Sequence, residues 1–124
     1  MALKEYVRDI QDFPKKGIIF KDITPLLNSP EGTKECLSIL MENLKNKKID
    51  KVIGVESRGF FFATLLAHEL NVGFVPVRKP GKLPFTTISA SYELEYGSDN
   101  LEIHTDAIKK GVRVLIHDDV LAPG

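Results

Sequence analysis

The sequence has no tryptophan, a single cysteine and no excess of charge of either sign. With Cys36 alone, an internal disulfide is excluded, and we expect this residue to pack inside a protein of a reducing compartment. Basic and acidic residues both number 17, so no overall field draws the chain to nucleic acid or to an anionic membrane. Any anion-binding site must therefore be a local cluster of cations.

Long hydrophobic runs are absent as well. Residues 1–6 lack the apolar core of a signal peptide, and the run Phe60–Ala67 is far shorter than the roughly 20 residues that cross a bilayer. We therefore expect a cytoplasmic protein with neither a membrane nor a nucleic acid as partner. The chain has 124 residues, of which 43% are hydrophobic, enough for one core and one domain over residues 1–124.

Apolar runs and turn residues predict an α/β fold. In the first part we expect a short helix over Leu3–Ile10, an irregular arm over Phe13–Leu27, and a helix from its N-cap Ser29 to about Lys47. A strand at Lys51–Val55, a helix at Arg58–Leu70 and a strand at Gly73–Val77 follow. This β-α-β order predicts a mostly parallel sheet with right-handed crossovers.

The last part of the chain is predicted to begin with a β-hairpin or flap. Its strands are Thr86–Tyr96 and Leu101–His104, joined by a turn at residues 97–100. A helical turn at Asp106–Lys110 then leads to a final apolar strand at residues 112–116.

Two adjacent carboxylates, Asp118 and Asp119, follow that final apolar strand. Open α/β sheets bind their ligands beyond the carboxyl ends of the strands, so these acids are expected to face a ligand. Ionised carboxylates only accept hydrogen bonds, which suits sugar hydroxyls or a hydrated magnesium ion.

A basic turn follows the predicted strand Gly73–Val77. Arg78, Lys79 and Lys82 are gathered around Pro80-Gly81, which forces a turn that can aim the cations at one point. Arginine offers a planar fork to phosphate oxygens and lysine a compact charge, so a pyrophosphate fits this cluster. The alternative is an ordinary solvated basic turn.

Arg58 lies at another strand end, within Glu56-Ser57-Arg58-Gly59, and can point into the same crevice. The alternative is an Arg58 that pairs with Glu56 to hold the turn. In the hairpin, Glu93 and Glu95 share one face of a strand, and by itself this pattern favours a merely solvated face. His117 and Asp118 point to opposite faces of a strand and do not suggest a shared metal, so no zinc site is assigned.

Taken together, these segments resemble the adenine phosphoribosyltransferases, a group of the type I phosphoribosyltransferase family. The resemblance covers nearly the whole chain in order. Its matching stretches are DFPKKGIIFKDITPLL at 12–27, GVESRGF at 54–60, GFVPVRKPGKLP at 73–84, LEYGSDNLEIH at 94–104 and VLIHDDVLAPG at 114–124.

The resemblance implies transfer of the phosphoribosyl group from phosphoribosyl pyrophosphate (PRPP) to adenine, giving AMP and pyrophosphate, with Mg²⁺ and in a homodimer. It implies a mostly parallel sheet with a hairpin flap, an N-terminal adenine-side segment at 1–28 and a core at 29–124. Glu95 is then the catalytic residue near the purine N7, and Mg²⁺ is held through PRPP, with Asp118 and Asp119 contributing through water. The remaining implied contacts are Arg58, Arg78, Lys79, Lys82, Asp118, Asp119, Ala122 and Gly124 for PRPP, and Ile19, Phe20 and Lys21 for adenine.

Departures from the family pattern affect the phosphate loop and the base site. Pro123 stands where threonine is usual and has no N–H for a phosphate, and Lys21 stands where arginine is commoner. Because the sequence stops at Gly124, we expect an incomplete 5′-phosphate site and impaired activity. Two alternatives are a non-catalytic purine or PRPP binding protein and a phosphoribosyltransferase for another purine such as xanthine.

Overall fold

A computed structural model describes residues 3–94 and 97–118, except for the side chains at 92–94 and 97–99. The chain divides into two compact units, Met1–Asn46 and Lys47–Gly124. Within the described residues, no helix is both long enough and apolar enough to cross a membrane.

The first unit begins with a short 3-10 helix, Leu3–Tyr6, and an antiparallel pair of strands, β1 (Arg8–Gln11) and β2 (Ile19–Asp22). The helix predicted to reach Ile10 is therefore wrong beyond Tyr6, because residues 8–11 form inter-strand hydrogen bonds that local helix propensity cannot outweigh. The Gly17 N–H donates to the Asp12 carboxylate at 2.8 Å and helps close the connection between the strands.

Two helices complete the first unit, α1 (Thr24–Leu27) and α2 (Pro30–Leu44). The predicted irregular arm is thus largely regular, since it contains β2 and α1. The predicted cap of α2 is confirmed, because the Ser29 hydroxyl accepts a hydrogen bond from the Gly32 N–H at 3.0 Å.

The second unit contains the predicted parallel sheet. Its strands are β3 (Lys51–Val55), β4 (Gly73–Val77) and β7 (Val114–His117), in the order β4-β3-β7, and helix α3 (Gly59–Leu70) connects β3 to β4. The strands and α3 lie within a residue or two of their predicted positions.

Helix α3 packs on one face of this sheet through a cluster built on Val52, Ala63 and Ala67. Gly54 in the central strand permits the close approach, since a Cβ there would lie 2.7 Å from a Phe74 ring carbon and 2.9 Å from the Ala63 Cβ.

The hairpin consists of β5 (Thr87–Leu94) and β6 (Gly97–His104), with Leu94 opposite Gly97. Residues 97–100, predicted as a turn, pair as part of β6, because the two strands continue their ladder to that register. The predicted helical turn at Asp106–Lys110 is also wrong: residues 105–111 form turns and bends without a helix.

Candidate functional site

The three parallel strands of the second unit end at one edge of the sheet. Val55 lies opposite Val77 in the β3–β4 register, and Gly54 lies opposite His117 in the β3–β7 register. The segments that follow carry Glu56 and Arg58 after β3, Arg78 after β4 and Asp118 after β7. The expected gathering of charged residues at these strand ends is therefore present.

Glu56 joins the basic turn to the end of β3. Its carboxylate accepts from Arg78 Nε at 3.0 Å and from the Lys79 backbone N–H at 3.1 Å, and it lies 3.3 Å from Lys82 Nζ. The Glu56 side chain is 10% exposed, against 34% for Arg78 and 49% for Lys82. The basic turn is consequently an ordered cluster, and the carboxylate considered above as a partner for Arg58 is engaged with Arg78 and Lys82.

The pKa of Glu56 reflects two opposing influences. Burial raises the pKa. The hydrogen bonds from the Lys79 N–H, Arg78 and Lys82, together with the positive charge of Arg78, lower it by a larger amount, so the pKa lies below its ordinary value. Glu56 is therefore ionised near neutral pH and keeps its hold on both cations.

Arg78 is oriented by a second group, the ring of Phe60, whose centroid lies 6.0 Å from the guanidinium carbon. Phe60 in turn meets Phe74 edge to face, with centroids 5.6 Å apart. Glu56 accepts from Nε, and the two terminal nitrogens of Arg78 have the geometry for a bidentate contact with phosphate oxygens.

Glu102, in β6, holds the other side of the basic turn. Its carboxylate accepts from the Gly81 N–H at 3.0 Å and from the Thr87 hydroxyl at 3.3 Å, and its backbone exchanges two hydrogen bonds with Arg78. Pro80 has no N–H, so both backbone donors between Lys79 and Gly81 are bound to carboxylates. These two N–H groups are therefore engaged with carboxylates, and the turn offers an anion chiefly its side-chain cations.

Asp118 lies directly beside the beginning of α3. A Cβ on Gly59 would be 3.0 Å from Asp118 Oδ1 and 3.0 Å from the His117 carbonyl oxygen. Gly59, which has no Cβ, thus lets the end of β7 come against the helix. Arg58, half-buried, occupies the N-cap position of the same helix, and the Glu56–Ser57 peptide bond before it is cis.

The predicted adenine-side residues lie in β2 of the first unit. Phe20 meets Phe13 edge to face at 5.2 Å, and Lys21 Nζ lies 2.6 Å from an Asp9 carboxylate oxygen. A cavity of about 270 Å³ opens beside these rings, and its lining residues are Ile10, Phe13, Phe20, Asp22 and Thr24. Ile19, 56% exposed, is not among them.

Glu95, Asp119, Ala122 and Gly124 lie outside the described residues. Among the residues that are described, no group of three or more His, Cys, Asp or Glu side chains could hold a metal ion. The sequence did not indicate Glu102 or Phe60, and for Glu56 it suggested only Arg58, as an alternative partner. The sequence feature that could have indicated the contact of Glu56 with the basic turn was its position at a strand end, next to the predicted strand that leads into that turn.

A family model described as "Phosphoribosyl transferase domain" matches residues 22–124. An adenine phosphoribosyltransferase of Flavobacterium johnsoniae is 72% identical over all 124 residues, which span 73% of its length. A crystal structure of adenine phosphoribosyltransferase from Rhodothermus marinus has a TM-score of 0.92 and 55% identity, covering 97% of this chain and 68% of that one. The Saccharomyces cerevisiae enzyme, solved with an imino-altritol bisphosphate and adenine, has a TM-score of 0.84 and 44% identity, covering 92% and 67%.

Proposed function

This chain belongs to the phosphoribosyltransferase family, within its adenine phosphoribosyltransferases, and on that premise we propose how its residues transfer a phosphoribosyl group from PRPP to adenine. The observation that carries the proposal is the pair of cations, Arg78 and Lys82, that contact the Glu56 carboxylate. They lie at the sheet edge where β7 ends and Asp118 follows. Cations and acceptors at one edge suit a substrate with a pyrophosphate and a ribose.

The basic turn binds the pyrophosphate of PRPP. In the reaction, N9 of adenine forms a bond to the anomeric carbon, the bond from that carbon to the pyrophosphate oxygen breaks, and the pyrophosphate leaves with the electron pair. Negative charge therefore grows on the leaving group, where Arg78, Lys79 and Lys82 stabilise it. Arg58 adds a cation from the β3 end of the same edge.

Asp118 and Asp119 accept hydrogen bonds from the ribose hydroxyls. Positive charge builds on the ribose ring as the pyrophosphate departs, as in glycoside chemistry, so carboxylates near the ring favour this step. Ala122 and Gly124 would lie along the phosphoribosyl group in the loop that follows.

Magnesium fits this donor set as an ion that enters with PRPP. Magnesium prefers oxygen ligands and usually keeps several waters besides substrate phosphates, and Asp118 is an exposed carboxylate able to hold such a water. When bound, the ion neutralises part of the pyrophosphate charge. Asp119 is proposed as the second such carboxylate.

Adenine is proposed to bind at β2, where Phe20 offers an apolar surface beside the cavity of about 270 Å³. The backbone at Ile19 and Lys21 reads the edge of the base. As N9 attacks, Glu95 accepts the proton that leaves N7 of the purine, so the base ends neutral; this is general acid–base chemistry. We also propose a homodimer and a cytoplasmic location, the latter in keeping with a free, half-buried thiol at Cys36.

A radiolabelled-adenine assay tests the proposal. We expect AMP to form from adenine and PRPP in the presence of Mg²⁺, with hypoxanthine and xanthine poor competitors. Arg78→Lys keeps the charge but loses the planar fork, so the Kd for PRPP should rise about tenfold. Lys109→Ala, an exposed lysine away from the strand ends, is the control.

Three results would contradict parts of this proposal. PRPP binding without AMP formation would show that the protein binds PRPP but is not a transferase. Faster turnover of xanthine than of adenine would show that the substrate base is xanthine. Equal Kd values for wild type and Arg78→Lys would contradict the proposal that the basic turn binds the pyrophosphate.

A further inference from the structure

Glu102 contacts the basic turn from the hairpin, through both its backbone and its side chain. Its N–H donates to the Arg78 carbonyl at 2.7 Å, and its carbonyl accepts from the Arg78 N–H at 2.9 Å. This pair joins β6 to the first residue after β4, so Glu102 lies where the hairpin meets the sheet.

The two oxygens of the Glu102 carboxylate reach in different directions. Oε1 accepts from the Gly81 N–H in the basic turn, and Oε2 accepts from the Thr87 hydroxyl in β5. One carboxylate therefore ties the turn to the opposite strand of the hairpin.

Gly81 has a backbone conformation that favours glycine, and no side chain of its own to hold it in place. It adopts φ +82, and a Cβ built there would touch nothing within 4 Å, so neither a side chain nor packing restrains it. Its N–H bond to Glu102 fixes the backbone between Lys79, whose N–H donates to Glu56, and Lys82, whose Nζ lies 3.3 Å from the same Glu56 carboxylate.

We propose that Glu102 is a positioning residue for pyrophosphate binding, which fixes the Gly81 backbone so that the cations on either side of it face one ligand. This inference rests on the proposed function, because it takes the basic turn as the pyrophosphate site. Glu102 acts through hydrogen-bond geometry, whereas its negative charge by itself disfavours an anion.

Two substitutions separate geometry from charge. Glu102→Gln loses the charge but keeps an oxygen for the Gly81 N–H and an amide for Thr87, whose hydroxyl can accept as well as donate. Glu102→Asp keeps the charge but is one methylene shorter and withdraws from both donors. Glu69→Ala, an exposed glutamate on α3, is the control.

Calorimetric titration of the full chain with Mg²⁺-pyrophosphate measures the effect without requiring turnover. For Glu102→Asp we expect a Kd about tenfold higher than for wild type, the effect of one lost hydrogen bond to a charged group. Glu102→Gln and Glu69→Ala should stay within about twofold, and the affinity for adenine should be equal in all four proteins. The Gly81 amide proton should lose its protection from exchange in Glu102→Asp and keep it in Glu102→Gln.

The outcomes distinguish this inference from the function on which it rests. If wild type does not bind Mg²⁺-pyrophosphate, the assignment of the basic turn fails. If wild type binds but Glu102→Asp binds equally well, or Glu102→Gln is the weakened variant, the positioning role is overturned. Thermal unfolding of each variant identifies any loss that comes from a failure to fold.

Discussion

At the scale of single residues, the site depends on one carboxylate placed between two cations. Glu56 is nearly buried, and its negative charge is matched by Arg78 and Lys82 within 3.3 Å. When Glu56 loses its negative charge, the positive charges of Arg78 and Lys82 are left without their partner. The stability of the folded protein therefore depends on the ionisation state of Glu56.

We expect the stability contribution of Glu56 to disappear in acid. Because its folded pKa is lowered, the contribution is fully present above the unfolded pKa of about 4.3 and is lost as the pH falls through the folded pKa. Urea unfolding from pH 7 to pH 3 should show wild type more stable than Glu56→Gln at neutral pH, with the difference shrinking below about pH 4.3. A stability difference between wild type and Glu56→Gln that stays constant from pH 7 to pH 3 would contradict the lowered pKa of Glu56.

The thiol of Cys36 is expected to react slowly. Burial raises its pKa, and the neighbouring Glu35 charge raises it further, so the thiolate is scarce at neutral pH. The rate of reaction with an aromatic disulfide reagent should rise with a midpoint above about pH 8.5, and Glu35→Gln should lower that midpoint. A midpoint at or below the ordinary value would show a thiol unaffected by its surroundings.

Residue types at strand ends were predictable, but their partners were not. The sequence indicated Arg78, Lys82 and Asp118 because their positions follow apolar strands. The only partner that the sequence suggested for Glu56 was its chain neighbour Arg58, as an alternative, whereas the carboxylate reaches residues more than 20 positions away. The proposed ligand roles of these residues, and of Glu95, stay predictions.

At the scale of elements, close contact between α3 and β3 positions the edge of the site. Gly54 lies under the helix, and a Cβ there would also come within 3.0 Å of the Gly59 carbonyl oxygen, at the beginning of α3. A change in this contact would therefore displace the segment carrying Glu56 and Arg58.

We expect Gly54→Ala to destabilise the protein by about 1–3 kcal/mol, the usual cost of overpacking a well-packed core. Gly73→Ala is the matched control on the neighbouring strand, because the added Cβ meets chiefly the flexible Lys51 side chain, with Nζ at 3.0 Å. Urea unfolding of both variants measures the difference. Equal losses of stability would show that the helix can move away from the strand without cost.

The β-α-β elements were predictable because their apolar patterns are local and strong. The strand pair of the first unit was not predictable, since β1 and β2 are four-residue strands whose pairing joins segments separated by a long turn. The hairpin turn was misplaced for a related reason. Residues 97–100 are typical of turns by composition, but the register with β5 includes them in the ladder.

At the scale of the whole molecule, the parallel sheet has an exposed apolar strand. In the described part of the chain β7 pairs with β3 only, and its Val114 and Ile116 are 38% and 66% exposed. Exposed strands of this kind promote association between chains.

We expect Ile116→Lys to reduce self-association. A charge on this strand opposes pairing with a second chain, while stability should change by less than about 0.5 kcal/mol because the side chain is exposed. Static light scattering over a concentration series gives the comparison. Phe61→Lys, 42% exposed on α3, is the control and should scatter as wild type does. An unchanged scattering slope for Ile116→Lys would show that the strand takes no part in association.

The hold of Glu56 and Glu102 on the backbone of the basic turn also has a consequence for ionic strength. With the N–H groups of Lys79 and Gly81 already bound, attraction for an anion comes from arginine and lysine side chains that are partly in water. Mobile ions screen such charges over about 8 Å at physiological salt. Affinity at this turn should therefore fall steadily as salt is added, more steeply than at a site built from backbone amides.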